Sequence, residues 1–138
     1  MPRKPKAIVL DSWAVIAYLE GEGAAEMVAD HIADAHENEI PLFMSVVNAG
    51  EVWYIIAREA SVSDADRSIT ELRHLGIGFV DADWSLAHEA GGFKAKHKMS
   101  FADCFAAALA KQKKGVLLTG DFEFRQVQGE VTIEWLRS

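Results

Sequence analysis

Five short strand-like stretches, at residues 7–10, 40–44, 77–80, 116–119 and 131–135, are separated by longer stretches with helix-like apolar spacing. Each is too short for an ordinary helix, and those at 7–10 and 116–119 read as strands buried on both faces. Strands that alternate with helices give a parallel sheet covered on both faces. Residues 12–20 are apolar almost all round and stop at Gly21, so they read as a helix buried on most sides or covered by a partner. Residues 23–38, 45–60, 63–75, 84–97 and 100–114 read as further helices. The third of these carries a Ser63–Asp66 capping box, and the one at 84–97 is weakened by Gly91-Gly92. Residues 121–128 read as a loop or a short helix.

At 138 residues the chain is expected to form one domain, since two cores of ~70 residues would each bury too little surface. Half of it is apolar, which excludes a mostly disordered chain. No apolar run approaches the ~18 residues of a membrane span. The basic start, with Arg3, Lys4 and Lys6, is followed by only residues 7–10 before Asp11 intervenes. That is too short for an export segment. Residues 1–6 read as a flexible basic tail, and a cytoplasmic protein without a membrane is expected. The single cysteine, Cys104, excludes an internal disulfide and a multi-cysteine zinc site, and reads as a small buried apolar residue.

The net charge is −7, from 21 acids against 14 Lys and Arg. A chain that gripped nucleic acid by its overall field would be basic. If this one touches RNA, the field must be reversed locally, and metal ions held by clustered acids would do so. In an open parallel α/β sheet ligands sit at the carboxyl ends of the strands. Asp11 directly follows the first run and Asp121 closely follows the fourth, which puts both at one edge of the sheet. Asp103 lies in the first turn of the helix feeding that fourth strand, and Glu51 in the second turn of the helix after the second.

Each acid has a plain structural role open to it. Asp11 and Ser12 could cap the first helix, Ser100-Phe-Ala-Asp103 fits a capping box, Thr119-Gly-Asp121 could be a turn, and Glu51 could be solvated. Glu51, however, interrupts an apolar stripe of Val47, Val52 and Ile55, and Asp103 heads one of Ala106, Ala107 and Ala110. Acids so placed need a partner or a cation.

The stretches Ile8-Val-Leu-Asp11-Ser12, Met44-Ser-Val-Val-Asn-Ala-Gly-Glu51-Val, Ser100-Phe-Ala-Asp103-Cys-Phe-Ala-Ala-Ala-Leu-Ala and Leu118-Thr119-Gly-Asp121-Phe-Glu-Phe together resemble the PIN-domain nucleases, and within them the VapC-type ribonuclease toxins. The resemblance runs from about residue 7 to residue 134. It implies a three-layer α/β/α domain with a central parallel five-stranded sheet. It also implies a Mg²⁺- or Mn²⁺-dependent endoribonuclease with one or two ions, a homodimer, and a cognate antitoxin protein as inhibitor. Asp11, Glu51, Asp103 and Asp121 match the family's metal-binding acids, with Glu123 an additional candidate. Ser12 and Thr119 match supporting hydroxyl positions, and Trp13 is bulky for its place beside the first acid.

Oxygen ligands suit Mg²⁺ and Mn²⁺, which activate a water for in-line attack on a phosphodiester and stabilise the leaving oxygen. The products implied by the resemblance carry a 5′-phosphate and a 3′-hydroxyl. Clustered carboxylates also raise one another's pKa, so weak metal binding in acid and stabilisation by metal are expected. Lys94, Lys96 and Lys98, with His97 among them, are candidate RNA contacts, as are Arg58, Lys111, Lys113, Lys114 and the tail. Trp53-Tyr54-Ile55-Ile56 suggests a protein–protein surface.

Two competitors are a phosphoacceptor signalling domain and a catalytically silent PIN-like RNA-binding or scaffold protein. The first usually pairs two acids after its first strand and carries a lysine after a late one, and neither is found here. The second would have lost the acids.

Overall fold

The computed structural model describes residues 4–137 except residue 22; residues 1–3 of the expected tail, Arg3 included, lie outside the described residues. The order is β1 (Ile8–Leu10), α1 (Ser12–Glu20), α2 (Ala25–Glu37), β2 (Leu42–Ser45), α3 (Val46–Glu59), α4 (Val62–His74), β3 (Ile77–Val80), α5 (Trp84–Lys96), α6 (Phe101–Gln112), β4 (Val116–Thr119), a 3₁₀ segment (Phe122–Val127) and β5 (Thr132–Trp135). All strand pairs are parallel and the sheet order is β3-β2-β1-β4-β5.

Alternate strand residues feed two cores, which makes three layers. On one side Ile8, Leu10, Leu42, Met44, Ile77 and Leu118 pack with Val15, Val28, Ile32, Val52 and Leu72 of α1–α4. On the other, Val9 and Leu117 pack with Leu86, Ala90 and Phe93 of α5 and with the alanine-rich α6. Cys104 to Ala110 are buried without interruption. Small side chains let α6 lie close to the sheet, and burial raises the Cys104 thiol's pKa, as suits an inert core residue.

The helix ends have local causes. Gly21 takes the left-handed conformation (φ 65°) that closes α1. Ser100 caps α6, accepting from the Asp103 amide at 3.1 Å. α4 differs from the sequence reading. Its cap is Ser61, which accepts from the Asp64 amide at 3.0 Å, not Ser63. Asp66 instead accepts from the Trp53 indole N–H at 2.9 Å, tying α4 to α3. α5 runs unbroken through Gly91-Gly92. Gly115 turns the chain into β4 against the backbone of Ala7, where a Cβ would lie only 2.5 Å from the carbonyl oxygen. No helix among the described residues is long and apolar enough to cross a membrane.

Candidate active site

β1 lies mid-sheet, and the chain winds outward from it to β2 and β3 before returning to β4 on its other flank. The boundary between β1 and β4 is therefore the point where strand order reverses, and such a crevice at the carboxyl ends is where open α/β sheets bind ligands. Leu10 pairs with Leu118, so the next residues out, Asp11 and Thr119, emerge side by side. The Thr119 hydroxyl donates to Asp11 Oδ2 at 2.5 Å and accepts from the Asp121 amide at 3.0 Å. Asp11 Oδ1 caps α1 by accepting from the Ala14 amide at 2.9 Å. The capping role open to Asp11 is real and occupies one oxygen, yet the residue is only 1% exposed.

Three further acids face this point. Glu51, half-buried on α3, accepts a hydrogen bond from the Ser12 hydroxyl. Asp103 stands in the first turn of α6. Asp121 caps the 3₁₀ segment, accepting from the Glu123 amide at 2.9 Å. Burial pushes the Asp11 carboxyl up to about 7, and repulsion from Asp103 and Asp121 adds to it; the bonds from Thr119 and Ala14 oppose the rise. Burial also pushes Asp103 up to about 6, helped by Asp121, Glu51 and Glu123 and opposed by a bond from Ser100. Asp11, Asp103 and Asp121 are thus within electrostatic reach of one another, and Asp103 also feels Glu51 and Glu123.

Among the described residues, no lysine or arginine ion-pairs with any of the four. Nor do any three of these side chains, as they stand, close around a single point at ligand distance. Asp11, Glu51 and Asp121 are each held by hydrogen bonds to neighbouring donors. A carboxylate has about four lone-pair positions, so each keeps capacity for another partner. An all-oxygen, uncompensated acidic donor set fits a hard divalent cation.

Asn48 was not singled out by the sequence reading. It is fully buried, and its amide donates to the Ala102 carbonyl at 3.0 Å and to Ser12 Oγ at 3.4 Å. It ties α1, α3 and α6 together behind the acids, while its Oδ1 has no hydrogen-bond partner among the described residues. The available signal was a lone amide three residues before Glu51 on a largely apolar helix. Asn48→Ala is expected to cost about 1–2 kcal/mol, because the hydrogen bonds that join α3 to Ser12 and to the Ala102 carbonyl are lost. Urea midpoints of the two proteins measure this.

The candidate RNA contacts are dispersed. Lys94 donates to the Met99 carbonyl at 2.6 Å, Lys96 lies 3.9 Å from Glu130, and Arg58 stacks 5.1 Å from the Tyr54 ring. Lys98 is clamped by Gln126 of the 3₁₀ segment, through its amide at 3.0 Å and its carbonyl at 3.1 Å. Beside Asp121 a cleft of about 770 Å³ opens, lined by Trp13, Gly120, Phe122, Glu123, Arg125 and Gln126.

Residues 8–130 match the family model described as PIN domain. The chain belongs to the PIN domain family. No curated protein sequence matches it significantly. Among solved structures this PIN domain is similar to VapBC2 from Rickettsia felis bound to a promoter DNA fragment, at TM-score 0.78 and 11% identity over 95% of this chain and 99% of that one. It is also similar to VapC20 from Mycobacterium tuberculosis, a sarcin–ricin loop cleaving toxin, at 0.70 and 16% over 88% and 95%. A third is a toxin–antitoxin complex from Klebsiella pneumoniae, at 0.65 and 16% over 91% and 97%. At these identities the likeness is one of fold.

Proposed function

We propose that this PIN domain is a divalent-metal-dependent endoribonuclease, the toxin of a toxin–antitoxin pair, that hydrolyses structured RNA to 5′-phosphate and 3′-hydroxyl ends. Asp11 carries the reading: a buried carboxyl at the reversal point of the sheet, raised to about 7 by burial and by its acidic neighbours, with no lysine or arginine ion-paired to it among the described residues. Such a cluster is costly unless a cation completes it.

Asp11, Glu51, Asp103 and Asp121 would hold one or two ions, with Glu123 in reach. Mg²⁺ or Mn²⁺ bound there supplies a water of lowered pKa and neutralises charge on the phosphate. The chain's own side chains do the rest. Thr119, by donating to Asp11, favours its ionised carboxylate, and Ser12, by donating to Glu51, fixes the direction of that side chain. Asp11 and Asp103 hold protons at neutral or mildly acidic pH and release them when the site is filled, so loading is linked to proton release. The Ala14 amide and the Ser100 hydroxyl anchor the two acids to helix N-termini, whose dipoles favour negative charge.

The VapC20 structure is named for cleaving the sarcin–ricin loop, and the Klebsiella structure is a toxin–antitoxin complex; both kinds of partner suit this chain. Half-buried Trp13, Ile16, Tyr18 and Leu19 leave apolar area on α1 that a cognate antitoxin or a second copy in a homodimer would cover. Lys94, Lys96, Lys98 and Arg58 are phosphate contacts in this reading, the site of action is the cytoplasm, and the whole chain with its basic tail forms one domain.

The test is cleavage of end-labelled structured RNAs, a sarcin–ricin stem-loop among them, with Mn²⁺ or with EDTA. The expected result is Mn²⁺-dependent cutting in unpaired regions, giving 5′-phosphates that a ligase accepts. Metal-independent cutting, or cyclic phosphate ends, would count against the proposal.

A further inference from the structure

The cleft beside Asp121 brings two aromatic rings and one guanidinium, Arg125, next to the carboxylates of Asp121 and Glu123. Phe122 directly follows the last acid of the cluster and is 69% exposed. Its ring is braced by Trp135, 5.8 Å away between centroids. The Arg125 guanidinium lies 5.5 Å from the same ring, and its Nε donates to the Phe122 carbonyl at 3.3 Å. Arg125 has no carboxylate partner within 4 Å among the described residues, although Glu123 lines the same cleft. The six-membered ring of Trp13, which also lines the cleft, lies over Gly120, where no Cβ would fit.

Held by Trp135 and Arg125 yet 69% exposed, Phe122 keeps much of its side chain open to a ligand. A guanidinium laid along such a ring is a surface on which a nucleobase stacks, and the same group bonds phosphate oxygens. The cleft is continuous with the acids through Asp121 and Gly120, so a strand whose phosphate sits at the acids places an adjacent nucleotide in it.

Resting on the nuclease reading above, we infer that Phe122 and Arg125, sharing the cleft with Trp13, form a stacking subsite for one unpaired nucleobase next to the scissile phosphate. Selection is for an unstacked base, not for a particular edge pattern, because every base has a π face. A base locked in a duplex cannot enter, which restricts cleavage to loops and bulges. Trp13, bulky beside Asp11, thus forms a wall of the substrate groove.

The experiment uses the full wild-type chain with Ca²⁺ in place of Mg²⁺ or Mn²⁺, to neutralise the acids while suppressing cleavage, and a hairpin RNA with 2-aminopurine at one loop position. Binding is read from the quenching of that base, with the same strand annealed to its complement as competitor. The hairpin is expected to bind and be quenched, and the duplex to compete poorly. Adding Phe122→Ala should weaken binding about 5- to 150-fold, the range of one lost stacking contact. Phe122→Trp should stay near the parent value, Phe122→Leu should fall with alanine, and Trp84→Ala, on an exposed ring outside the cleft, should change nothing. The subsite is overturned if Phe122→Ala binds as well as the parent, if leucine serves as well as tryptophan, if the duplex competes equally, or if no binding is seen below ~100 µM protein.

Cleavage with Mg²⁺ or Mn²⁺ separates the two claims. Metal-dependent cutting with a KM unmoved by Phe122→Ala overturns the subsite and leaves the nuclease standing. Phe122-dependent quenching with no cutting by any metal supports the base site and overturns the nuclease.

Discussion

Asp11→Asn is expected to abolish cleavage and, without metal, to stabilise the protein. The loss of activity should exceed the ~10–100-fold that removing an outer-sphere partner of a metal costs, because a direct ligand is lost. The gain in stability follows from the sign of the shift. An unfolded chain releases this proton near 3.8, whereas the folded protein keeps it to about 7. Between those values the unfolded state binds fewer protons, so wild-type stability falls as pH rises and then levels off. Three pH units set a ceiling of about 4 kcal/mol. Asparagine is neutral throughout and is itself a good N-cap, so it keeps the bond from the Ala14 amide. In EDTA at pH 8 its melting temperature should exceed that of wild type by about 5 °C or more, and the gap should vanish near pH 4. A variant less stable than wild type at pH 8 would mean that Asp11 contributes structure rather than stored repulsion.

The second large effect is the rescue of wild type by metal. Millimolar Mn²⁺ should raise its melting temperature at pH 8 by about 5 °C or more, since a ligand at a hundred times its Kd stabilises by about 2.7 kcal/mol. The shift should shrink as pH falls through 7 and 6, where Asp11 and then Asp103 take up protons and compete with the ion. Asp11→Asn should show little shift at any pH. Equal shifts in both proteins would place Mn²⁺ elsewhere.

These effects depend on proximities that the sequence reveals unevenly. The strands at Ile77–Val80 and Val116–Thr119 were legible to the residue, because each is a short, mostly apolar stretch directly preceded by a glycine. β2 begins two residues later than its apolar run, as Glu39 takes a positive φ of 57° and Pro41 lacks an amide hydrogen. That Asp11 and Asp121 share one sheet edge followed from strand direction alone. That they share one crevice did not, since only the pairing of β1 with β4 puts Asp11 beside Thr119, and neighbour order is not written in helix-linked strands.

The acids' double roles were half legible. Capping could be read for Asp11, and its burial could not, because burial comes from α1 and β4 closing over it. Asn48 escaped notice because its partners, Ser12 and Ala102, lie 36 and 54 residues away. Arg125 was passed over because nothing local pairs it with an exposed ring; the 3₁₀ segment does that by bringing it back over Phe122.

The most direct measurement is anomalous difference density from crystals of the protein soaked in Mn²⁺ at pH 8. The expected map holds one or two peaks at roughly 2.0–2.3 Å from oxygens of Asp11 and of at least two among Glu51, Asp103 and Asp121. A map with no peak at these carboxylates, or with peaks only elsewhere on the surface, would contradict the metal centre from which the proposed chemistry follows.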